Sequence, residues 1–277
     1  MDHTVDAALA RHRELQDVSA SPLLDCQILL AHAMNVSRSW LYTHGDSAID
    51  ARAESHFAAL MAERMAGEPV GYLIGRQGFW KMDLEVSPAT LIPRPETELL
   101  VETMLMQFGE APIRVLDAGT GTAAIAIALA MERPAWQLFA SDSSSEALVV
   151  AAHNIQTWAS GRVWLFRGDW LAAIAPASLD AVVSNPPYIA EGDPHLRDLA
   201  HEPEDALVSG ADGLNAINSI LTQALHCLRP GGLLLLEHGF DQQKATRTLA
   251  RDLGYIDTES LLDLNHMPRA LLARKPQ

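Results

Sequence analysis

Cysteine is nearly absent: Cys26 and Cys227 stand far apart and without CxxC spacing. That excludes a disulfide framework or a thiolate zinc site and fits a reducing cytoplasm. Basic clusters are also missing. Twenty Lys and Arg face 35 Asp and Glu for a formal net charge of −15, and the densest basic group is the terminal Arg269, Arg274 and Lys275. Such a chain repels phosphate backbones, so no direct nucleic-acid binding is expected. The eleven histidines include no HExxH, so no metal is expected either. The longest uncharged apolar run, Ala123 to Met131, is far too short to span a bilayer. The first twenty residues carry Asp2, Asp6, Arg11, Arg13, Glu14 and Asp17, unlike a signal peptide. No apolar surface run demands a dimer. These absences lead to the expectation of a cytoplasmic, monomeric protein with no membrane contact.

What is present has a clear order. Residues 1–67 read as helical: Ser21-Pro22 has the form of an N-cap with proline at the first helical position. A helix over 51–65 places Phe57, Leu60, Met61 and Met65 on one face, with Gly67 as its stop. Residues 68–95 change character; "VGYLIG" and "FWKMDLEV" read as a strand pair and "LIPRP" as a stiff linker. From residue 96 helices and apolar strands alternate: "IRVLDAG", "WQLFASD", "RVWLFRGD", "LDAVVSNPPY", "GGLLLLEHG" and "RALLARK" are the strands. That alternation predicts an α/β fold with a doubly wound, mostly parallel sheet buried on both faces.

Ligands in such folds bind outside the carboxyl ends of the strands. The first of these strands ends in "LDAGTGTAA", where Gly119 and Gly121 permit a tight turn into a helix whose N-terminal amides face a ligand. The Walker lysine is missing, so a nucleoside triphosphate is not indicated. Asp142 ends the second strand about twenty residues on, where a carboxylate can accept both ribose hydroxyls; an N-cap role is the plainer alternative, which Ser143, Ser144 or Ser145 could fill instead. Asp169 could accept from an adenine amine while Trp170 packs on the ring, although a Trp there is commonly core.

The fourth strand runs into "SNPPY". Asn185 offers a carbonyl acceptor, and Pro186 and Pro187 keep their carbonyls but have no N–H. The segment is rigid and rich in acceptors; its complement is a planar NH₂ group, against which Tyr188 can lie flat. A proline-rich turn would explain the strand ending, but not the asparagine and tyrosine beside it.

"DAGTGTAAIAIAL" followed by "SNPPY" resembles the class I S-adenosylmethionine-dependent methyltransferases that modify planar NH₂ groups. With "EPVGYLIGRQGFW", "SPATLIPRPETE", "GDW", "EPEDALVSGADGL" and "LLLEHG", the chain is similar over nearly its whole length to the bacterial release-factor glutamine methyltransferases. The resemblance implies methylation of the glutamine side chain in the Gly-Gly-Gln motif of class I peptide-chain release factors. It implies a seven-stranded methyltransferase sheet over 96–277, a helical substrate-docking domain over 1–67, and a hairpin and linker over 68–95. It assigns Gly119, Thr120, Gly121, Thr122, Ala123, Asp142, Asp169 and Trp170 to S-adenosylmethionine. Asn185, Pro186, Pro187 and Tyr188 fall to the glutamine amide, with Asn185 also near the methyl donor. A glutamine of a ribosomal protein, or an exocyclic amine of adenine or guanine in nucleic acid, would suit the same acceptors; a non-catalytic binding module is the third alternative. The chain departs from the family pattern at Ala123, where a third glycine is usual, and in "LNHMPRALLARK", which keeps Arg269 but lacks the usual acidic, glycine-containing run before it.

Overall fold

The computed structural model describes residues 3–277. The chain forms two compact units that divide after Arg76.

The first unit contains α1 (Val5–Leu9), a 3₁₀ turn over Ala10–Leu15, α2 (Pro22–Met34), α3 (Arg38–Thr43), α4 (Ala51–Met65) and α5 (Val70–Ile74). Local chemistry sets the starts: Asp50 accepts from the amides of Arg52 and Ala53, and Ser37 from that of Trp40. Pro22 opens α2 as expected, but the Ser21 side chain makes no capping bond. Leu29, Leu30, Phe57, Leu60 and Met61 meet in one core, each contributing about 1.5–3 kcal/mol by burial. Met65, expected on the same face, is 39% exposed. The segment "VGYLIG" is not a strand: Pro69 precedes a short helix, and Gly75 ends it in the left-handed conformation.

The division falls at the first residue of a hairpin, β1 (Arg76–Phe79) and β2 (Met82–Glu85), and the rest of that hairpin opens the second unit. The sheet and its helices follow as α6 (Glu98–Gln107), β3 (Arg114–Ala118), α7 (Ala124–Glu132), β4 (Gln137–Asp142), α8 (Ser145–Trp158), β5 (Val163–Arg167) and β6 (Leu179–Ser184). After a long loop come α9 (Asn215–Cys227), β7 (Leu228–Glu237), α10 (Gln243–Asp252), β8 (Ile256–Leu262) and β9 (Pro268–Arg274). Seven strands pair in the order β5-β4-β3-β6-β7-β9-β8, parallel as far as β7, with β9 antiparallel to both its neighbours. The doubly wound sheet expected from the alternation is therefore present. Along β7 the side chains alternate between two cores: Leu233 and Leu235 join one with α6, α7 and α8, while Leu234 and Leu236 join the other with α9 and α10. β8 has no counterpart in the apolar pattern because it is an edge strand, with no residue in it fully buried.

No helix among the described residues is long and apolar enough to cross a membrane, and none of their His, Cys, Asp and Glu groups could hold a metal. Both thiols are free and buried.

Candidate active site at the carboxyl ends of the parallel strands

The strand order reverses between β3 and β6, and a cavity of about 530 Å³ lies there, within the range of small-molecule sites. Its walls come from the loop after β3, the ends of β4 and β5, the start of "NPPY", and the segment before α6.

The loop after β3 turns through three left-handed residues, Gly119 (φ 72°), Gly121 (φ 53°) and Ala123 (φ 65°). Glycine is required at 119 twice over, because a Cβ there would also lie 2.7 Å from the Trp170 ring. Ala123 adopts the same conformation with a Cβ, fully buried as the residue before α7, which stores strain of about 1–2 kcal/mol. Asp142 braces the loop: Oδ2 accepts from the Gly121 amide (2.9 Å) and Oδ1 from the Ser144 amide (2.9 Å). Ser144, not Asp142, caps α8. Asn154 of α8 donates to the carbonyls of Thr122 (3.1 Å) and Glu85 (2.9 Å), tying the loop to the hairpin.

Asp117 was not singled out by the sequence reading, although an acidic residue inside an apolar strand is a signal. It is 1% exposed; Oδ2 accepts from the Thr120 hydroxyl (2.6 Å) and the Ala126 amide (3.2 Å), and Oδ1 has no partner. Burial pushes its pKa up to about 7 against these hydrogen bonds.

On the opposite wall, the Ser184 hydroxyl donates to the Ala118 carbonyl (2.6 Å) and fixes the end of β6 beside β3. Asn185 then donates its Nδ2 to the Thr97 hydroxyl (3.1 Å), and its Oδ1 is buried without a partner. Thr97 donates to Glu237 Oε2 (2.8 Å), and the Tyr188 hydroxyl to Glu237 Oε1 (3.2 Å). Glu237 is 1% exposed, and burial pushes its pKa up to about 7, opposed by the Thr97 bond, the Arg269 charge and the Tyr188 bond. The Tyr188 carbonyl accepts from Gln242 (2.9 Å). Glu202, also buried, accepts from the Ile92 amide (3.1 Å) and pairs with Arg94, which holds "LIPRP" to the loop after "NPPY".

Of the residues picked out by sequence, Gly119, Thr120, Gly121, Thr122, Asp142, Asp169, Trp170, Asn185 and Pro187 line this one cavity. Ala123, Pro186 and Tyr188 stand just behind it: Ala123 and Pro186 are buried, and Tyr188 is turned to Glu237. Sequence reasoning missed Thr97, Asp117, Asn154 and Glu237. The wall carries the carboxylates Asp142, Glu146, Asp169 and Asp205 against the single guanidinium of Arg167. That charge suits a cationic, hydroxyl-bearing ligand such as S-adenosylmethionine and not a phosphorylated one.

A family profile described as "PrmC N-terminal domain" matches residues 8–75, and one described as "Methyltransferase small domain" matches residues 95–210. The release factor glutamine methyltransferase of Xylella fastidiosa (strain 9a5c) is 47% identical over 91% of this chain and 93% of its own length. The enzyme of the same name from Escherichia coli (strain K12) is 42% identical over 92% and 93%. Among solved structures, a methyltransferase from Pyrococcus furiosus superposes with a TM-score of 0.55 at 19% identity, covering 80% of this chain and all of that one, which is a likeness of fold. With a methyltransferase sheet, a ligand-sized cavity at its switch point and relatives matching over more than nine-tenths of both chains, the chain belongs to the release factor glutamine methyltransferase family, which uses S-adenosylmethionine.

Proposed function

We propose that this chain methylates the side-chain amide nitrogen of the glutamine in the Gly-Gly-Gln motif of class I release factors, acting in the cytoplasm as a monomer. The observation that carries the reading is Asn185 Oδ1, a carbonyl oxygen buried beside the cavity with no partner in its own chain. Buried acceptors are almost always paired, so this one calls for a donor from outside. The prolines that follow add carbonyls and no N–H, so a carboxamide NH₂ meets acceptors only.

S-adenosylmethionine, when bound, supplies an electrophilic methyl group. Its holders are Gly119 to Ala123, Asp142 at the ribose hydroxyls, and Asp169 with Trp170 at the adenine. The part of Asn185, Pro186 and Pro187 is orientation. An amide nitrogen is a weak nucleophile because its lone pair is delocalised. Acceptors that grip both N–H bonds favour the more pyramidal, electron-rich nitrogen of the transition state. Tyr188 ties this segment to Glu237. The first unit is assigned to docking the release factor. The ribosomal-protein and nucleobase alternatives gain no support, since the relatives at 39–47% identity are named for the release factor.

The test is mass spectrometry of a release factor incubated with this protein and S-adenosylmethionine, beside a variant factor with Glu for that Gln. A carboxylate would leave the acceptors unpaired and facing like charge, a loss of about 1–3 kcal/mol or more. One added methyl on the Gln side chain and none on the Glu variant is the expected result; efficient methylation of the Glu variant would sink the reading.

A further inference from the structure

The direction in which Asn185 presents its amide is not a property of Asn185. Its oxygen and nitrogen are nearly isosteric, so only neighbours can decide which one faces the cavity. Those neighbours form a chain of one-way hydrogen bonds. An ionised Glu237 can only accept. The Thr97 hydroxyl has a single hydrogen and gives it to Glu237 Oε2 (2.8 Å), so its oxygen is left to accept. Asn185 must then turn Nδ2 toward Thr97 (3.1 Å), which leaves Oδ1 buried and unpartnered. Thr97 is 4% and Glu237 1% exposed, so water does not compete for these positions.

We infer that Thr97 and Glu237 are positioning residues: the Glu237 carboxylate, acting through the Thr97 hydroxyl, locks the Asn185 amide with its oxygen toward the substrate carboxamide. The rest of the constellation favours the ionised form of Glu237. Tyr188 donates to its other oxygen (3.2 Å). The positive charge of Arg269 bears on both Glu237 and Tyr188, and Arg269 is itself held by Asp263, with Nη2 at 3.1 Å and Nε at 3.3 Å from Oδ2. This gives a role to Arg269, which the sequence pattern kept while the residues before it diverged. Burial raises the Glu237 pKa to about 7 against the donors and the guanidinium, so Glu237 is the acceptor-only anchor above that pH.

The inference rests on the reading of Asn185 as the grip on the glutamine amide, and the experiment separates the two. Four variants, Thr97→Val, Thr97→Ser, Glu237→Gln and Asn185→Ala, are compared with the unaltered enzyme. The measurements are kcat and KM for a release factor, calorimetric affinity for S-adenosylmethionine, and the ratio of binding to Gln and Glu forms of the factor. Thr97→Val removes the relay at nearly constant volume. It should lower kcat at least about tenfold and leave cofactor affinity within about threefold. Thr97→Ser keeps the hydroxyl and should stay within about threefold of the unaltered enzyme in kcat. Free to flip, Asn185 in Thr97→Val and Glu237→Gln can offer its NH₂ to a carboxylate, so the preference for Gln over Glu should shrink in both. A merely structural role would not move that ratio. If Asn185→Ala keeps full activity, the reading of the site fails. If Asn185→Ala is inactive while Thr97→Val matches the unaltered enzyme in kcat and in the Gln/Glu ratio, the positioning inference alone is overturned.

Discussion

Replacing Asp117 with Asn should make the protein more stable at alkaline pH and leave it nearly unchanged in acid. Burial raises the Asp117 pKa from 3.8 to about 7 in the folded chain. A raised carboxyl pKa means that the folded state holds the proton more tightly than the unfolded one between those two values. The stabilisation is therefore complete below pH 3.8 and disappears as pH rises through 7. Since the side chain is 1% exposed, solvent does not screen the cost of its charge, which reaches about 4 kcal/mol above pH 7. In acid, the protonated carboxyl and the amide each carry a donor where Oδ1 has no partner, so the two proteins are alike there. Both keep an acceptor for Thr120 and Ala126. Urea unfolding without cofactor, at pH 5 and pH 8, measures the difference. The advantage of Asp117→Asn should grow by about 2–3 kcal/mol between the two. Comparison of variant and parent at each pH removes Glu237, His32 and His238, which also titrate with shifted pKa values but are common to both. A difference that does not change with pH would refute the claim that Asp117 is forced to ionise inside the fold.

Gly119→Ala meets a left-handed φ of 72° and a Cβ 2.7 Å from the Trp170 ring, so the loop or the indole must move. Calorimetry should show S-adenosylmethionine affinity reduced at least about tenfold, with the far-ultraviolet circular dichroism retained; an unchanged Kd would count against this loop as the cofactor cradle. Ala123→Gly should be nearly neutral, because relief of about 1–2 kcal/mol of left-handed strain is offset by a lost buried methyl and a more flexible unfolded chain, each about 0.5–1 kcal/mol. A change above about 2 kcal/mol in urea unfolding would show that one of these terms is wrongly assigned.

The parallel strands were legible because burial on both faces demands continuous apolar runs, and β4, β5 and β6 run on into polar groups at the site, Asp142, Asp169 and Asn185. β8 was not, since an edge strand half in water carries no such run. "VGYLIG" misled for a related reason: five apolar residues between Pro69 and Gly75 suit one helical turn as well as a strand, and only the flanking φ values decide. The glycine loop, Asp142, Trp170 and Asn185 could be read from their places at strand ends, and they line one cavity. Asn154, Thr97 and Glu237 could not. Asn154 reaches 69 residues to Glu85, Asn185 reaches 88 to Thr97, and Thr97 reaches 140 to Glu237. A helix interior, the 3₁₀ turn before α6 and the end of an apolar strand give no local hint of such partners.

Those long reaches divide the chemistry of "SNPPY" between sequence and fold. The two prolines strip donors from the segment whatever surrounds it, so its acceptor character is local and can be read directly. Asn185 is different, because its amide offers a donor and an acceptor in one shape. On the proposed reading, a site that chose at random between them would greet glutamine and glutamate alike. The direction has to come from a group that cannot donate, and a carboxylate is the side chain that meets this condition. Placing one directly on Asn185 would fix the amide but set a negative charge against the cavity. Routing the contact through Thr97 transmits the polarity and keeps Glu237 off the cavity wall. The cost is the burial of a carboxylate, offset in part by Tyr188, Arg269 and Thr97.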